Sequence, residues 1–530
     1  MSLRCKAILA VILAFAMARR AGAQDPVGSV AAGWDSLLQG AIPRASSDTV
    51  LMQPQVPVPK GPAGDFLNHF LFESRSEYLH ADTVFTGKPT LTGLTNAPFT
   101  PVFNPNGFPY QAAFQPDANR FYTFWDWGTR GWGSDRVDSH FSARYRTDLT
   151  PVDLASPNAN ILETFDHNRQ VEFLTGSITI HGRPADGAFA GGTIELGRQH
   201  VYGAEVADID GANVTISRQQ FSFNLFGGRR FTYYSDPERR AIGGGGATWR
   251  PDARTSLSYD VLVYIHGSHR ISFRRRITST LSLISYLRVY GGAPVDFKAD
   301  VLYQLRNGKT TLRGGFFQKL TDKDYTYDYT EGARDLSQSN KLYRLYFDPI
   351  QPYTQVSVDA RHSFARWLSM SATVIVRQLN NHADQSAFNN SFQDYRVNAQ
   401  AFPIRRLQAS LEYHQNNTDR LPPDPNRTFD DVSRAGQTSV KDLSGELTRS
   451  FGEGGRLTLS GGAYYRRLDT QDGFQRTTGA HQSGWLGGIA IKADRHTRVY
   501  FDYALDNDFV VLQPDIQKGR ILRVGLVWKY

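Results

Sequence analysis

Cysteine is nearly absent from the sequence. Among 530 residues there is one cysteine, Cys5, and it precedes the first apolar run. A single cysteine cannot form an intrachain disulfide, a thiolate metal site or a Cys-x-x-Cys-His haem attachment. The 13 histidines are scattered, without the spacing of a zinc site. We therefore expect no metal and no cofactor.

Catalytic motifs are absent as well. The chain has no Gly-x-Ser-x-Gly, His-Glu-x-x-His, P-loop or Rossmann pattern. The glycines 243–246 fall inside a predicted strand, which indicates a bend or close packing rather than a phosphate-binding loop. A formal net charge of +8 is too mild to indicate nucleic-acid binding. The sequence predicts neither an enzyme nor a nucleic-acid-binding protein.

Only one long apolar run is present, and it lies at the N-terminus. Arg4 and Lys6 precede the apolar residues 7–18, and residues 21–23 (Ala-Gly-Ala) offer a cleavage site. We interpret residues 1–23 as a signal peptide and the Pro- and Gly-rich residues 24–65 as a flexible periplasmic segment. With a mean hydropathy of −0.42 and no second long apolar run, a bundle of transmembrane helices is excluded.

In place of such helices, the chain has a long series of alternating segments. From about residue 135 onward, apolar side chains recur at every second position of segments of about ten residues. In one of them, Phe297, Ala299 and Val301 alternate with Lys298 and Asp300. A period of two predicts strands, and a length of about ten predicts tilted strands that cross a membrane.

The connections between these segments alternate in length. Short turns, such as 306–309 and 452–455, alternate with long polar stretches, such as 321–351, 415–437 and 470–483. This asymmetry is typical of barrels with short periplasmic turns and long extracellular loops. The predicted fold class is therefore all-β, a transmembrane antiparallel β-barrel.

The strand count follows from the direction of the last strand. If that strand runs down to the periplasm, counting back gives about 20 strands, and the segments 66–79 and 119–128 raise the number to about 22. The barrel then occupies residues 66–530. Residues 80–118 carry six prolines and are predicted to be a long loop. Folded inward, this loop would narrow the pore, and an external position fits equally well.

Two segments resemble known outer-membrane proteins. Residues 519–530 alternate and end with Trp528 and Tyr530, which resembles the terminal strand that the barrel-assembly machinery of Gram-negative bacteria reads. Residues 195–199 (Glu-Leu-Gly-Arg-Gln) and 210–212 (Asp-Gly-Ala) resemble a motif of large porins, including alginate-export-like barrels. The resemblance implies an outer-membrane porin or channel in a Gram-negative bacterium.

The polar face of each strand should line the barrel, because a charge that faces lipid is costly. The candidate pore-lining residues are Asp260, Arg288, Lys298, Asp300, Arg306, Arg313, Lys319, Arg377 and Glu412. Cations outnumber carboxylates in this set, which suggests a pore that prefers anions or tolerates sugars. The alternative is that the charges pair across strands and only solvate the wall.

An aromatic cluster precedes the regular strands. It comprises Phe121, Tyr122, Phe124, Trp125, Trp127 and Trp132. Its rings, with Trp528 and Tyr530, suit an aromatic girdle at the membrane interface. Stacking of sugars on the rings of the first group is the alternative.

Three functions remain open from the sequence. The first is an outer-membrane porin for passive diffusion of small hydrophilic solutes, with anions or sugars as candidates. The second is the barrel sheath of a porin–cytochrome electron conduit, with a multihaem cytochrome as partner. The third is a surface enzyme or adhesin on a barrel scaffold. The expected partners are the lipid bilayer and the assembly machinery.

Overall fold

The computed structural model describes most of the region predicted to form the barrel. It describes Phe66 and residues 69–85, 117–132, 136–149, 171–231, 241–264, 266–305, 308–322, 351–381, 390–419, 437–471, 477–506 and 516–530. The predicted signal peptide, the segment 24–65 and the candidate pore residue Arg306 lie outside the described residues.

Twenty-two strands form one sheet. In chain order they are Phe70–Phe85 (β1), Asp117–Gly131 (β2), Val137–Asp148 (β3), Val171–His181 (β4), Gly192–Tyr202 (β5), Val206–Arg218 (β6), Phe221–Arg230 (β7), Ala241–Asp252 (β8), Thr255–Val263 (β9), Gly267–Arg276 (β10), Leu281–Tyr290 (β11), Ala293–Gln304 (β12), Thr310–Lys319 (β13), Tyr353–Ala365 (β14), Leu368–Leu379 (β15), Phe392–Ala401 (β16), Leu407–Thr418 (β17), Gln437–Phe451 (β18), Leu457–Gln471 (β19), Thr477–Lys492 (β20), Thr497–Asp506 (β21) and Ile516–Lys529 (β22).

The sheet closes on itself. Each strand pairs antiparallel with the next, and β1 pairs with β22 from Glu73 opposite Lys529 to Phe85 opposite Ile516. A closed ring leaves no edge strand to aggregate. The predicted antiparallel barrel is confirmed, and the segments 66–79 and 119–128 contribute the extra pair, β1 and β2. With strands about 4.8 Å apart and tilted by about 40°, a ring of 22 strands has a backbone diameter of roughly 44 Å.

The two faces of the sheet differ in chemistry. Large apolar side chains stay exposed on the outer face, as at Leu225 (70% exposed), Val263 and Phe501. The intervening positions carry charged side chains that contact one another across strands, such as Arg270 with Asp260. An apolar outer band on strands of 9–16 residues matches the thickness of a lipid bilayer. No helix among the described residues is long and apolar enough to cross a membrane.

Some strands continue farther than the sequence predicted. β19 ends at Gln471 and β20 begins at Thr477, so most of the predicted loop 470–483 is strand. Likewise, β1 extends to Phe85 and β2 begins at Asp117, which shortens the predicted loop 80–118 to 86–116. The added residues of β19 and β20, 470–471 and 477–483, are Thr, Gln, Gly, Ala, His and Ser, so the sequence there lacks the apolar alternation that marked the other strands. The rest of that loop lies outside the described residues, so its predicted role as a constriction stays a prediction.

The connections at one rim are less uniform than predicted. We call the rim that carries Phe70 and Tyr530 the lower rim and the opposite one the upper rim. Three upper connections are tight: 203–205, 264–266 and 291–292. In the last of these, Gly291 and Gly292 have φ values of 56° and 81°, which a two-residue hairpin turn requires. These three upper connections are therefore as short as the lower turns, while residues 232–240 between β7 and β8 lie outside the described part of the chain.

Candidate functional site

The hairpin of β5 and β6 leaves the barrel wall at its upper end. Pairing of β4 with β5 stops at Gly176 opposite Arg198, and pairing of β6 with β7 begins at Ile209 opposite Arg230. Between these points, residues 199–202 pair with 206–209 of the same hairpin, and the Asp208 carbonyl accepts a backbone hydrogen bond from Phe231 at 2.9 Å at its base. We call residues 198–210 the arm.

The tip of the arm reaches strands on the far side of β7 and β8. The Gly203 carbonyl accepts a hydrogen bond from Arg270 Nη2 on β10 at 2.9 Å. The Glu205 carboxylate accepts two hydrogen bonds from Arg288 Nη1 on β11, at 2.9 and 2.7 Å, and one from the Ser268 hydroxyl at 3.0 Å. β6 and β11 are five strands apart, about 24 Å along the wall. The arm therefore leans across the inner face of the barrel.

An apolar layer lies beneath the arm. Its members are at most 8% exposed and come from the arm and from the wall: Val201, Ala204, Ala207 and Ile209, with Phe226, Ile242 and Leu262. The Phe226 ring lies over Gly244, where a Cβ would come within 2.6 Å of Cζ. This agrees with the close packing predicted for glycines 243–246. Burial of this layer stabilises the arm against the wall.

The porin-like motif builds the base of the arm. Arg198 donates to both carboxylate oxygens of Asp210, at 2.8 and 3.1 Å, and to the Phe173 carbonyl at 2.6 Å. Gln199 Nε2 donates to the carbonyls of Glu195 and Gly211. Gly197 has a φ of 126°, and a Cβ there would be 2.1 Å from the Gly176 carbonyl oxygen. The motif thus specifies the point at which the hairpin turns inward.

The predicted pore-lining residues lie mostly in lateral ion pairs on the inner face. Asp260 pairs with Arg270, Asp300 with Lys298 and Arg313, and Arg288 with Asp296 as well as Glu205. Glu412 accepts a hydrogen bond from Asn398 at 3.4 Å, and Lys319 is 5% exposed at the upper end of β13. The structure therefore places Asp260, Arg288, Asp300 and Arg313 in ion pairs between strands, and Lys298 pairs with Asp300 on its own strand.

Arg377 differs from the other predicted cations. Its guanidinium stacks on the Tyr353 ring at 3.7 Å and lies 5.8 Å from the Phe392 ring centroid. Nε and Nη2 are buried and have no hydrogen-bond partner among the described residues. Arg377 is thus held by aromatic rings rather than by a carboxylate.

A row of linked polar side chains on four neighbouring strands was not predicted from the sequence. On β16 to β19, His414 bridges two carboxylates, with Nε2 2.7 Å from Asp394 Oδ2 and Nδ1 3.4 Å from Asp442 Oδ2. Arg396 pairs with Asp394 at 2.9 Å, and Arg466 pairs with Asp442 at 2.7 Å. These residues are far apart in sequence, and only the register of the strands aligns them.

Another cluster of polar side chains lies where β1 pairs with β22 and closes the barrel. Glu77 on β1, 8% exposed, accepts a hydrogen bond from Arg75 Nη2 at 2.7 Å and one from the Tyr500 hydroxyl at 2.6 Å. Arg523 on β22 forms an ion pair with Glu77 at 2.9 Å. We call Arg75, Glu77, Tyr500 and Arg523 the seam cluster. It joins β21, β22 and β1.

The predicted aromatic cluster divides between the two faces. Phe121, Trp125 and Trp127 share the outer face of β2, where Trp127 stacks on Phe141 at 5.7 Å. Tyr122 and Phe124 share the inner face, with centroids 6.4 Å apart and planes 13° apart. At the lower rim, Trp132 contacts Phe66, Trp528 contacts Phe72, and Tyr530 contacts Phe70. The role of these rings as an aromatic girdle at the membrane interface stays a prediction.

The barrel is similar in architecture to solved outer-membrane pores at low sequence identity. A BenF-like porin from Pseudomonas fluorescens Pf-5 is 10% identical, with 87% of this chain and 98% of that chain covered and a TM-score of 0.40. The translocation pore of the P pilus usher PapC is 9% identical, covers 87% and 99%, and has a TM-score of 0.46. Pseudomonas aeruginosa OccK1 (OpdK) is 11% identical, covers 88% and 99%, and has a TM-score of 0.39. No family model and no curated protein matches the sequence.

Proposed function

We propose that the protein is an outer-membrane channel of a Gram-negative bacterium that lets small hydrophilic solutes diffuse passively. The observation that carries the proposal is that 22 strands form a closed ring whose outer and inner faces differ in chemistry. The outer face presents apolar side chains to lipid, and the inner face presents charged and hydroxyl groups that need water or polar partners. Such a wall suits a water-filled lumen.

The arm supports a lumen that is narrowed rather than open over its full width. A second layer of strand packed on the inner wall occupies about 10 Å of the diameter. The arm is fixed at its base by Arg198 and Asp210 and at its tip by Glu205 and Arg288. In this proposal it sets the size limit on one side of the pore.

The paired charges support weak selectivity between small ions. A cation paired with one carboxylate neighbour within 4 Å presents little net field to a passing ion, as for Arg270 beside Asp260. The predicted preference for anions then depends on cations such as Arg377, which stack on rings instead. Sugars, which carry no charge, would pass irrespective of this balance.

The orientation and the route to the membrane complete the proposal. With β22 running down to the periplasm, the lower rim faces the periplasm and the arm lies near the cell surface. The signal peptide 1–23 would direct export, the assembly machinery would read β22, and the barrel would act as a monomer.

The decisive experiment is reconstitution of the purified protein in planar lipid bilayers. We expect stepwise ohmic conductance in KCl and a small reversal potential in a KCl gradient. A strongly cation-selective reversal potential would contradict the anion preference, whereas membranes that stay non-conducting would contradict the channel itself.

A further inference from the structure

Two aromatic side chains, Tyr122 and Phe124, lie on the inner face beside the seam cluster, which contributes a third ring, Tyr500. Tyr122 on β2 is directly opposite Glu77, Glu77 is opposite Gly525, and Gly525 is opposite Tyr500 on β21. Cross-strand partners share a face of the sheet, so these residues form one row on the inner wall. Phe124 lies one inward position along β2, with its ring nearly parallel to that of Tyr122.

The Tyr500 ring lies flat against the wall. A Cβ on Gly525 would be 2.1 Å from Tyr500 Cζ, so the ring occupies the space that a side chain would fill. Its hydroxyl donates to Glu77 and accepts from Arg75 Nε at 3.3 Å, which fixes the ring in this position. One ring face therefore covers β22, and the Arg75 guanidinium carbon lies over the ring, 6.0 Å from its centroid.

Planar charged groups surround these rings. Arg75 and Arg523 contact Glu77 between the two tyrosines. Arg144 is directly opposite Phe124 and pairs with Glu172 on β4. The arrangement alternates flat apolar faces with guanidinium and carboxylate groups at about half the height of the wall.

We propose that this row, formed by Tyr122, Phe124, Tyr500 and the charges between them, binds a saccharide of two or three pyranose rings. A pyranose has an apolar C–H face that stacks on an aromatic ring and a rim of hydroxyls that hydrogen-bond to charged planar groups. Tyr122 and Tyr500 are three strand spacings apart, about 14 Å, which is close to the length of such a sugar. The inference deepens the proposed channel and rests on it.

The test uses maltotriose and single channels in planar bilayers. With the unmodified protein, we expect maltotriose to interrupt the KCl current reversibly and with saturation. In the double variant Tyr122→Ala/Phe124→Ala, the apparent dissociation constant should rise about tenfold, because two stacking contacts are lost. Tyr122→Phe keeps the ring and should keep most of the block.

The matched control deletes two rings from the opposite face of the same strand. Trp125→Ala/Trp127→Ala removes lipid-facing side chains of β2 and should leave the block by maltotriose unchanged. Equal weakening in both double variants, or conducting channels that maltotriose does not affect, would overturn the saccharide site while the channel stands. Absence of conductance in the unmodified protein would overturn the channel instead.

Discussion

Glu77 shows how one carboxylate can join three strands. It lies on β1 and contacts side chains of β1, β21 and β22 at the seam of the ring. Nothing in the local sequence marks it, since Glu73 and Glu77 share the same inward phase of the alternation. The register of β1 with β22 brings Arg523 to it, and the register of β22 with β21 adds Tyr500.

We expect Glu77→Gln to weaken the closure of the barrel. The change leaves the Arg75 and Arg523 guanidiniums without their carboxylate, which costs about 1–3 kcal/mol. The readout is the temperature at which samples heated in detergent change from the gel mobility of the folded barrel to that of the unfolded chain. Glu73→Gln is the control, because its partner Lys529 lies at the exposed rim and such pairs contribute about 0–1 kcal/mol. Equal shifts in both variants would contradict the role given to Glu77.

Gly197 is a second residue at which one atom decides the local structure. We expect Gly197→Ala to lower the yield of folded barrel, since the new Cβ would be 2.1 Å from the Gly176 carbonyl oxygen. Gly314→Ala is the control, because no atom lies within 4 Å of a Cβ at that position. Both variants are refolded into detergent, and the fraction that migrates as the folded barrel on a gel without heating is compared. Similar yields would show that the base of the arm tolerates a side chain.

At the scale of elements, the arm is the main departure from a simple ring of hairpins. Its motif was visible in the sequence, with Arg198 and Asp210 at the correct spacing to face each other across a hairpin. Its direction was not, because the inward lean depends on Arg288 and Ser268, some 60 to 80 residues farther along the chain. From the sequence, residues 80–118 suited a constriction and an external loop equally well, and most of them lie outside the described residues, so that prediction stays open.

We expect Glu205→Ala to release the tip of the arm and raise single-channel conductance. Arg288 keeps Asp296 as a partner, so the wall beneath should stay intact. Glu412→Ala is the control, since it also removes one negative charge from the inner face but touches no arm residue. If the two variants conduct alike, the change reflects pore charge, and the arm does not limit the current.

The tight turn between β20 and β21 is stabilised by one carboxylate outside the membrane. Asp494 accepts hydrogen bonds from the backbone N–H groups of His496 and Thr497, both at 2.7 Å. The first of these bonds is the main cause that lowers the pKa of Asp494 below its usual 3.8. A depressed pKa means that the carboxylate stabilises the turn above the unfolded-state pKa, and that this contribution is lost as the pH falls through the folded-state pKa.

We therefore expect an NMR titration of the Asp494 carboxyl carbon to give a midpoint below 3.8. In Asp494→Asn, the amide shifts of His496 and Thr497 should lose their dependence on acidic pH. A midpoint at or above the ordinary value would contradict the capping role.

At the scale of the whole molecule, one periodicity specifies the architecture. Alternation alone predicted strands such as β9, β12 and β15, because lipid on one side and water on the other impose a period of two. Together with the order of short and long connections, it also gave a strand number close to the observed 22. Alternation could not predict the contacts of His414 with Asp394 and Asp442. These contacts depend on the register between strands, and a shift of one residue would place the side chains on opposite faces of the sheet.

Cysteine accessibility tests the alternation most directly. In a Cys5→Ser background, the consecutive residues Phe297, Lys298, Ala299, Asp300 and Val301 of β12 are changed to cysteine one at a time. The protein in lipid vesicles is then treated with a charged, membrane-impermeant thiol reagent. We predict labelling at 298 and 300, which face the lumen, and protection at 297, 299 and 301, which face lipid. Uniform labelling along the strand would contradict the transmembrane barrel.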